Sequence, residues 1–115
     1  MENDLDILVS RTDNGAVLEL AGDIDSFSAR QLQEAIRDLL ASGEKRILVS
    51  LSRVAYIDSY GLGALVGGLR RARERHGDLS ITDASAQVCR VLGVTGLNRI
   101  FDFPISDEEA TEDMP

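Results

Sequence analysis

What this chain lacks narrows its function before any motif is considered. It has no tryptophan, one cysteine, one histidine and two prolines in 115 residues, and aromatic residues make up only 4%. A lone cysteine, Cys89, permits no internal disulfide and suits a reducing compartment. One histidine and one cysteine cannot build a tetrahedral zinc site without carboxylates, and their spacing is not that of a zinc motif. His76, in Arg75-His76-Gly77, reads as a solvated residue at a helix end; Cys89, among Val88, Val91 and Leu92, reads as a core thiol. With 12 basic against 20 acidic residues and a net charge of −8, there is no basic surplus to hold nucleic acid or an anionic lipid surface. The longest apolar stretch, Gly61 to Leu69, is far short of the roughly 20 residues a membrane helix needs. Met1-Glu2-Asn3-Asp4 is acidic where a signal peptide is basic. The expectation is a cytoplasmic domain with no metal, no cofactor, no nucleic acid and no membrane, whose partners are proteins with basic faces.

What is present is an ordinary globular balance, 43% hydrophobic and 28% charged, at a length that can bury a core without staples. Leu5–Val9 and Ala16–Leu20 are short alternating segments separated by Asp13-Asn14-Gly15, whose Asn-Gly pair predicts a β-hairpin. Gly22-Asp23-Ile24-Asp25 reads as a polar connection with at most a short extended piece. Ser28 and Gln31 have the spacing of a capping box, with Phe27 and Leu32 placed as a hydrophobic staple. Leu32, Ala35, Ile36, Leu39 and Leu40 then recur at helical spacing up to a stop at Gly43. Residues 46–51 are too continuously apolar for an edge and predict a central strand. A second helix is expected from about Tyr60 to Arg75. Gly63, Ala64, Gly67 and Gly68 keep it slim for close packing, and Arg70, Arg71, Arg73 and Arg75 crowd its C-terminal end, where the helix dipole favours cations. Leu79–Thr82 reads as a strand, Ser85–Leu92 as a third helix, and Leu97–Phe101 as a closing helical or irregular segment. Residues 106–115, with five acidic side chains, read as a frayed tail. No internal repeat or linker is read, so the organisation is one domain, 1–105, followed by that tail. A hairpin followed by alternating strands and helices gives a mixed α/β sheet with crossovers.

Gly61-x-Gly63 is not a dinucleotide fingerprint, because its third glycine would fall on Val66. Asp23, Asp25 and Asp58 would share one surface with Ser59 if the Gly22–Asp25 connection lay beside the Ile57–Ser59 turn. Paired acids can belong to a glycosidase, but there is no cleft-forming segment and little aromatic surface for sugar. Taken by itself, Asp25 is a turn or cap residue. Ser59 follows a buried strand and opens a helix, where unpaired N–H groups let a serine cap the helix or carry a phosphate.

Four signals in order closely resemble the STAS family, the sulfate transporter and anti-sigma-factor antagonist domains. Leu18-Glu19-Leu20-Ala21-Gly22-Asp23-Ile24-Asp25 is similar to the family's strand ending in Gly-acid-Leu/Ile-Asp, and Ile47–Ser52 to its central strand. Ile57-Asp58-Ser59-x-Gly61-Leu62-Gly63 resembles the phosphorylation motif of the stand-alone antagonists, and Val91-Leu92 through Phe101 the closing helix. The likeness covers about residues 5–105. It implies a mixed sheet of four to five strands with helices packed mainly on one face. It also implies a non-enzymatic partner switch. The unphosphorylated form would bind an anti-sigma factor that is also a serine kinase, freeing the sigma factor; phosphorylation of Ser59 would end binding, and a serine phosphatase would reset it. By the same resemblance the partner contacts are Asp23, Asp25, Asp58, Ser59, Tyr60, Gly61 and Leu62. Tyr60 departs from the second small hydroxyl residue of many relatives, leaving Ser59 as the obvious acceptor. The alternatives are a STAS scaffold subunit that is never phosphorylated, as in a lipid-transport assembly, with Ser59 merely a cap, and, below it, a small hydrolase using Asp25 or Asp58.

Overall fold

The computed structural model describes residues 5–101; the acidic run 106–115 and the end of the expected domain lie outside the described residues. Four strands form one sheet in the order of the chain: β1 (Asp6–Thr12), β2 (Gly15–Ile24), β3 (Arg46–Ile57) and β4 (Asp78–Ala84). β1 and β2 are the expected hairpin, antiparallel, with Thr12 opposite Gly15 across the Asp13-Asn14 turn. Gly15 has φ +132°, and a Cβ there would run into Arg46 on β3, so the turn requires glycine both for conformation and for space.

The β2–β3 and β3–β4 pairs are parallel, so each needs a crossover. These are α1 (Ser28–Ala41) and α2 (Ser59–Glu74). Two crossovers of the usual right hand that step across the sheet in the same direction put both helices on the same face. The registers Leu18–Val49–Ile81 and Ala16–Ile47–Leu79 run across β2, β3 and β4. All six side chains are buried, and each fully buried Leu or Ile contributes about 1.5–3 kcal/mol. On the other face the row Leu8–Glu19–Ser50 is open, with Leu8 64% exposed. This is the expected mixed sheet, four-stranded, with helices packed mainly on one face. α3 (Ala86–Thr95) and the 3-10 turn Leu97–Arg99 follow, and Val88, Leu92 and Phe101 join the same core.

Several local expectations need correction. β2 continues through Ala21–Ile24, where a polar connection with a short extended piece was expected from Gly22 on, and β3 runs on from the expected 46–51 strand through Ser52–Ile57, up to the expected turn at Ile57–Ser59. Irregular registers at Glu19/Ala21 and Gly22/Asp23 break the alternation, so the buried positions of β3 change from Ile47, Val49, Leu51 to Val54 and Ile57. A period-two search misses such a segment. The slim face of α2 is also divided. A Cβ at Gly68 would lie 2.9 Å from Ile36 Cδ1 of α1, whereas at Gly63 and Gly67 it would meet nothing within 4 Å. Only the first of these glycines answers to close packing. At the ends of the helices the stop signals hold. Glu44 N donates to Leu39 O and Gly43 N to Leu40 O, the pairing that closes a helix on a left-handed glycine.

Candidate functional site

The C-terminal ends of the parallel strands β2 and β3 lie side by side, with Asp23 opposite Tyr56 and Ile24 opposite Ile57. Each strand runs directly into a helix, so this end of the sheet carries two helix starts. Asp58 N donates to Ile24 O at 3.2 Å and ties the two together. The condition attached to the three aspartates is therefore met: Asp23, Asp25, Asp58 and Ser59 share one end of the molecule. They do not converge on a point, since among the described residues no group of three or more metal-ligating side chains could hold an ion.

At α2 the cap is Asp58. Its backbone is extended, and its Oδ1 accepts from Tyr60 N at 2.9 Å and Gly61 N at 3.1 Å. Leu62 N then donates to Asp58 O, the first helical bond. Ser59 is thus the first helical residue, not the cap. Its side chain is exposed and its hydroxyl makes no hydrogen bond with another described residue. Of the two roles open to Ser59, capping is therefore taken by Asp58. A capping oxygen must come from the residue before the helix to reach the N–H groups two and three positions on, and a hydroxyl one residue later points outward. Gly61 is buried, and a Cβ on it would lie 2.7 Å from both Ile24 Cγ2 and Ile57 Cγ1. Leu62 is half-buried against the core. These two expected contact residues build the platform under the site and offer little surface of their own.

At α1 the expected Ser28–Gln31 capping box is displaced by one turn. Ala29 N donates to Asp25 O at 2.8 Å, so helical bonding begins at Asp25. Asp25 Oδ1 accepts from Phe27 N and Ser28 N, both at 3.0 Å, while Ser28 Oγ accepts from Asp25 N at 2.9 Å and donates to Asp23 O at 2.7 Å. This is a reciprocal box formed by Asp25 and Ser28. The amide of Ser28 has the largest effect and lowers the Asp25 carboxyl below its ordinary value of 3.8; burial opposes it, and the amide of Phe27 and the Ser28 hydroxyl add to the lowering. Gln31 instead accepts from Leu5 N, and Phe27, cast as a staple, is 80% exposed. The bland reading of Asp25 as a cap holds, and Asp58 has the same role. Asp23 differs: it is exposed and its carboxylate engages no other described residue.

One feature of this end escaped the sequence reading although its signal was there. Ile24-Asp25-Ser26-Phe27 and Ile57-Asp58-Ser59-Tyr60 are the same tetrad, isoleucine, aspartate, serine, aromatic. In both, the isoleucine is buried, the aspartate caps, the serine is exposed and the ring stands in solvent, Phe27 at 80% and Tyr60 at 64%. Tyr56, opposite Asp23, is 52% exposed. Among the described residues, surface concavities lie elsewhere, for instance on the open sheet face against Asp6, Glu19 and Arg53 and beside Leu69 and Ile100. At the far end of α2 the arginines act as ties. Arg75 donates to Leu40 O of α1, and Arg73 pairs with Asp78 and donates to Ile100 O. Among the described residues no helix is long and apolar enough to cross a membrane.

The family profile described as "Mlab, STAS domain" matches residues 7–103. The chain is 31% identical over 104 residues to the anti-sigma-B factor antagonist of Bacillus subtilis (strain 168), covering 90% of this chain and 94% of that protein. It is 30% identical over 93 residues to the protein of the same name from Staphylococcus aureus, covering 81% and 86%. The crystal structure of an anti-sigma factor antagonist from Mycobacterium paratuberculosis superposes with a TM-score of 0.80 at 25% identity, over 97% of this chain and 96% of that one.

Proposed function

This chain belongs to the STAS domain family, and from that membership we propose that it is a cytoplasmic anti-sigma factor antagonist switched by phosphorylation of Ser59. In its unphosphorylated form it binds an anti-sigma factor and so releases the sigma factor held there. The anti-sigma factor is also a serine kinase, which moves the γ-phosphoryl group of ATP onto Ser59 Oγ, and a separate serine phosphatase removes it. The curated relatives named as antagonists support the role. The observation that carries the choice of residue is the state of Ser59: exposed, first in its helix, its hydroxyl uncommitted.

The chemistry follows from the neighbours. Phosphate adds about −1.5 to −2 charge at pH 7. Amides at a helix start usually cradle an anion, but here the N–H groups of Tyr60 and Gly61 already donate to Asp58. A phosphate on Ser59 therefore keeps its charge facing outward beside Asp58. Docking a partner would then require desolvating two adjacent anions, which is costly without new cations to receive them. The folded domain needs no rearrangement to be switched. A scaffold reading that treats Ser59 as a cap fits less well, because Asp58 holds that position.

The test is incubation of the full chain with MgATP and extract of the native cell, followed by intact mass and peptide mapping. One phosphoryl group on Ser59, absent from Ser59→Ala, is the expected result. Mapping is essential because Ser26 occupies the matching place in the other tetrad. Phosphate on Ser26, or none on the wild-type chain, would overturn the assignment.

A further inference from the structure

We infer that Phe27 and Tyr56, together with Tyr60, form an aromatic rim that anchors the kinase partner, extending its footprint from the start of α2 to the start of α1. The inference rests on the switch reading above and names the surface that the partner reads. An aromatic-poor chain, with two tyrosines and three phenylalanines, holds both tyrosines and one phenylalanine at this end, each more than half exposed. Exposed rings of this size lose the burial that makes aromatics favourable in a monomer, and rigid aromatics are the residues that most often carry binding energy at protein interfaces. Their backbones are fixed. Phe27 N and Tyr60 N donate to the capping aspartates, and Tyr56 is held in the β2–β3 register. Little ordering entropy is lost when such side chains dock.

The partner chemistry follows from what lies between the rings. Asp23 is exposed and unpaired among the described residues, and it sits opposite Tyr56. Asp25 and Asp58 already spend one oxygen on backbone amides. The matching surface therefore has apolar sockets for Phe27, Tyr56 and Tyr60 around arginine or lysine side chains that pair with Asp23 and stack on the rings. The net charge of −8 favours the same basic partner over long range.

The experiment follows the initial rate of Ser59 phosphorylation against substrate concentration, with the full chain, MgATP and native-cell extract. Phe27→Ala and Tyr56→Ala should raise the half-saturating concentration about tenfold each, as expected of interface anchors, with little change in plateau rate or thermal midpoint. Phe27→Tyr and Tyr56→Phe should restore near wild-type values. Leu8→Ala, which removes an exposed apolar side chain from the open sheet face, should change nothing. Wild-type half-saturation for both alanine variants, or an equal loss in Leu8→Ala, overturns the aromatic rim and leaves the switch intact. A wild-type chain that is never modified at Ser59 overturns both.

Discussion

The two helix starts at the end of β2 and β3 begin alike and finish differently. Ile24-Asp25-Ser26-Phe27 and Ile57-Asp58-Ser59-Tyr60 supply the same cap, the same outward serine and the same exposed ring. The next residue separates them. At α1 it is Ser28, fully buried, whose hydroxyl bonds to Asp23 O, Asp25 N and Asp25 Oδ1. At α2 it is Gly61, with no side chain, packed directly on Ile24 and Ile57. One start is locked by a side-chain network that reaches back into β2. The other is held by Asp58 and by the fit of a bare backbone against two isoleucines. A hydroxyl at the first helical position is free for chemistry, while one two residues later is absorbed into structure.

The comparison breaks most sharply at that fifth residue. Gly61→Ala should lower stability by about 2–3 kcal/mol, since its Cβ has no room between Ile24 and Ile57 and overpacked cores lose this much. Gly63→Ala, two residues on with open space around it, should instead gain about 0.5–1 kcal/mol. Denaturant midpoints measured side by side would show opposite signs; equal signs would mean that α2 does not seat on Ile24 and Ile57 as described.

The caps come next in size. Asp58→Ala and Asp25→Ala should each lose about 0.5–2 kcal/mol. Ser28→Ala should cost a comparable amount, because a buried hydroxyl takes with it the partner of Asp25 N. Ser59→Ala should shift the unfolding midpoint by less than about 0.5 kcal/mol while abolishing phosphorylation. A loss at Ser59 as large as at Asp58 would return the capping role to the serine. Ser59→Asp should fold as well as wild type, because carboxylates are tolerated at helix starts, yet bind the anti-sigma factor more weakly than Ser59→Ala. Calorimetry of both variants against that partner checks the separation of stability from affinity.

The smallest effect is one of pH. The folded Asp25 carboxyl is held below its ordinary value of 3.8, so its contribution is fully present above that value and is lost as pH falls through the depressed one. The melting temperature of wild type should therefore fall more steeply below about pH 4 than that of Asp25→Asn. Parallel curves in that window would show that Asp25 does not hold its carboxylate against the Ser28 and Phe27 amides.

Much of this protein could be read without coordinates. The Asn14-Gly15 turn, the apolar Ile47–Leu51 strand, the helical spacing of Leu32, Ile36 and Leu39, and the stop at Gly43 all stand where local rules put them, because each depends on residues within one or two turns of chain. The polar ends of β2 and β3 were harder. Ala21–Ile24 and Ser52–Ile57 are strands because they pair with each other, and no window of a single segment contains its partner. The caps failed for a related reason. Ser28 satisfies a local pattern as a cap, but the strand end delivers Asp25 to the helix first, and the serine turns inward to answer it.

From the order of residues alone it follows that an acidic chain folds as a mixed α/β domain with an aspartate and a serine at the opening of its second helix. Tertiary structure decided which hydroxyl was left over. Parallel pairing of β2 and β3 set two like tetrads side by side, and the lack of a Cβ at Gly61 let α2 settle onto the isoleucines. Asp58 took the amides, and Ser59 was left facing water because a cap has room for one acceptor and the aspartate, one residue earlier, stands where that acceptor must be.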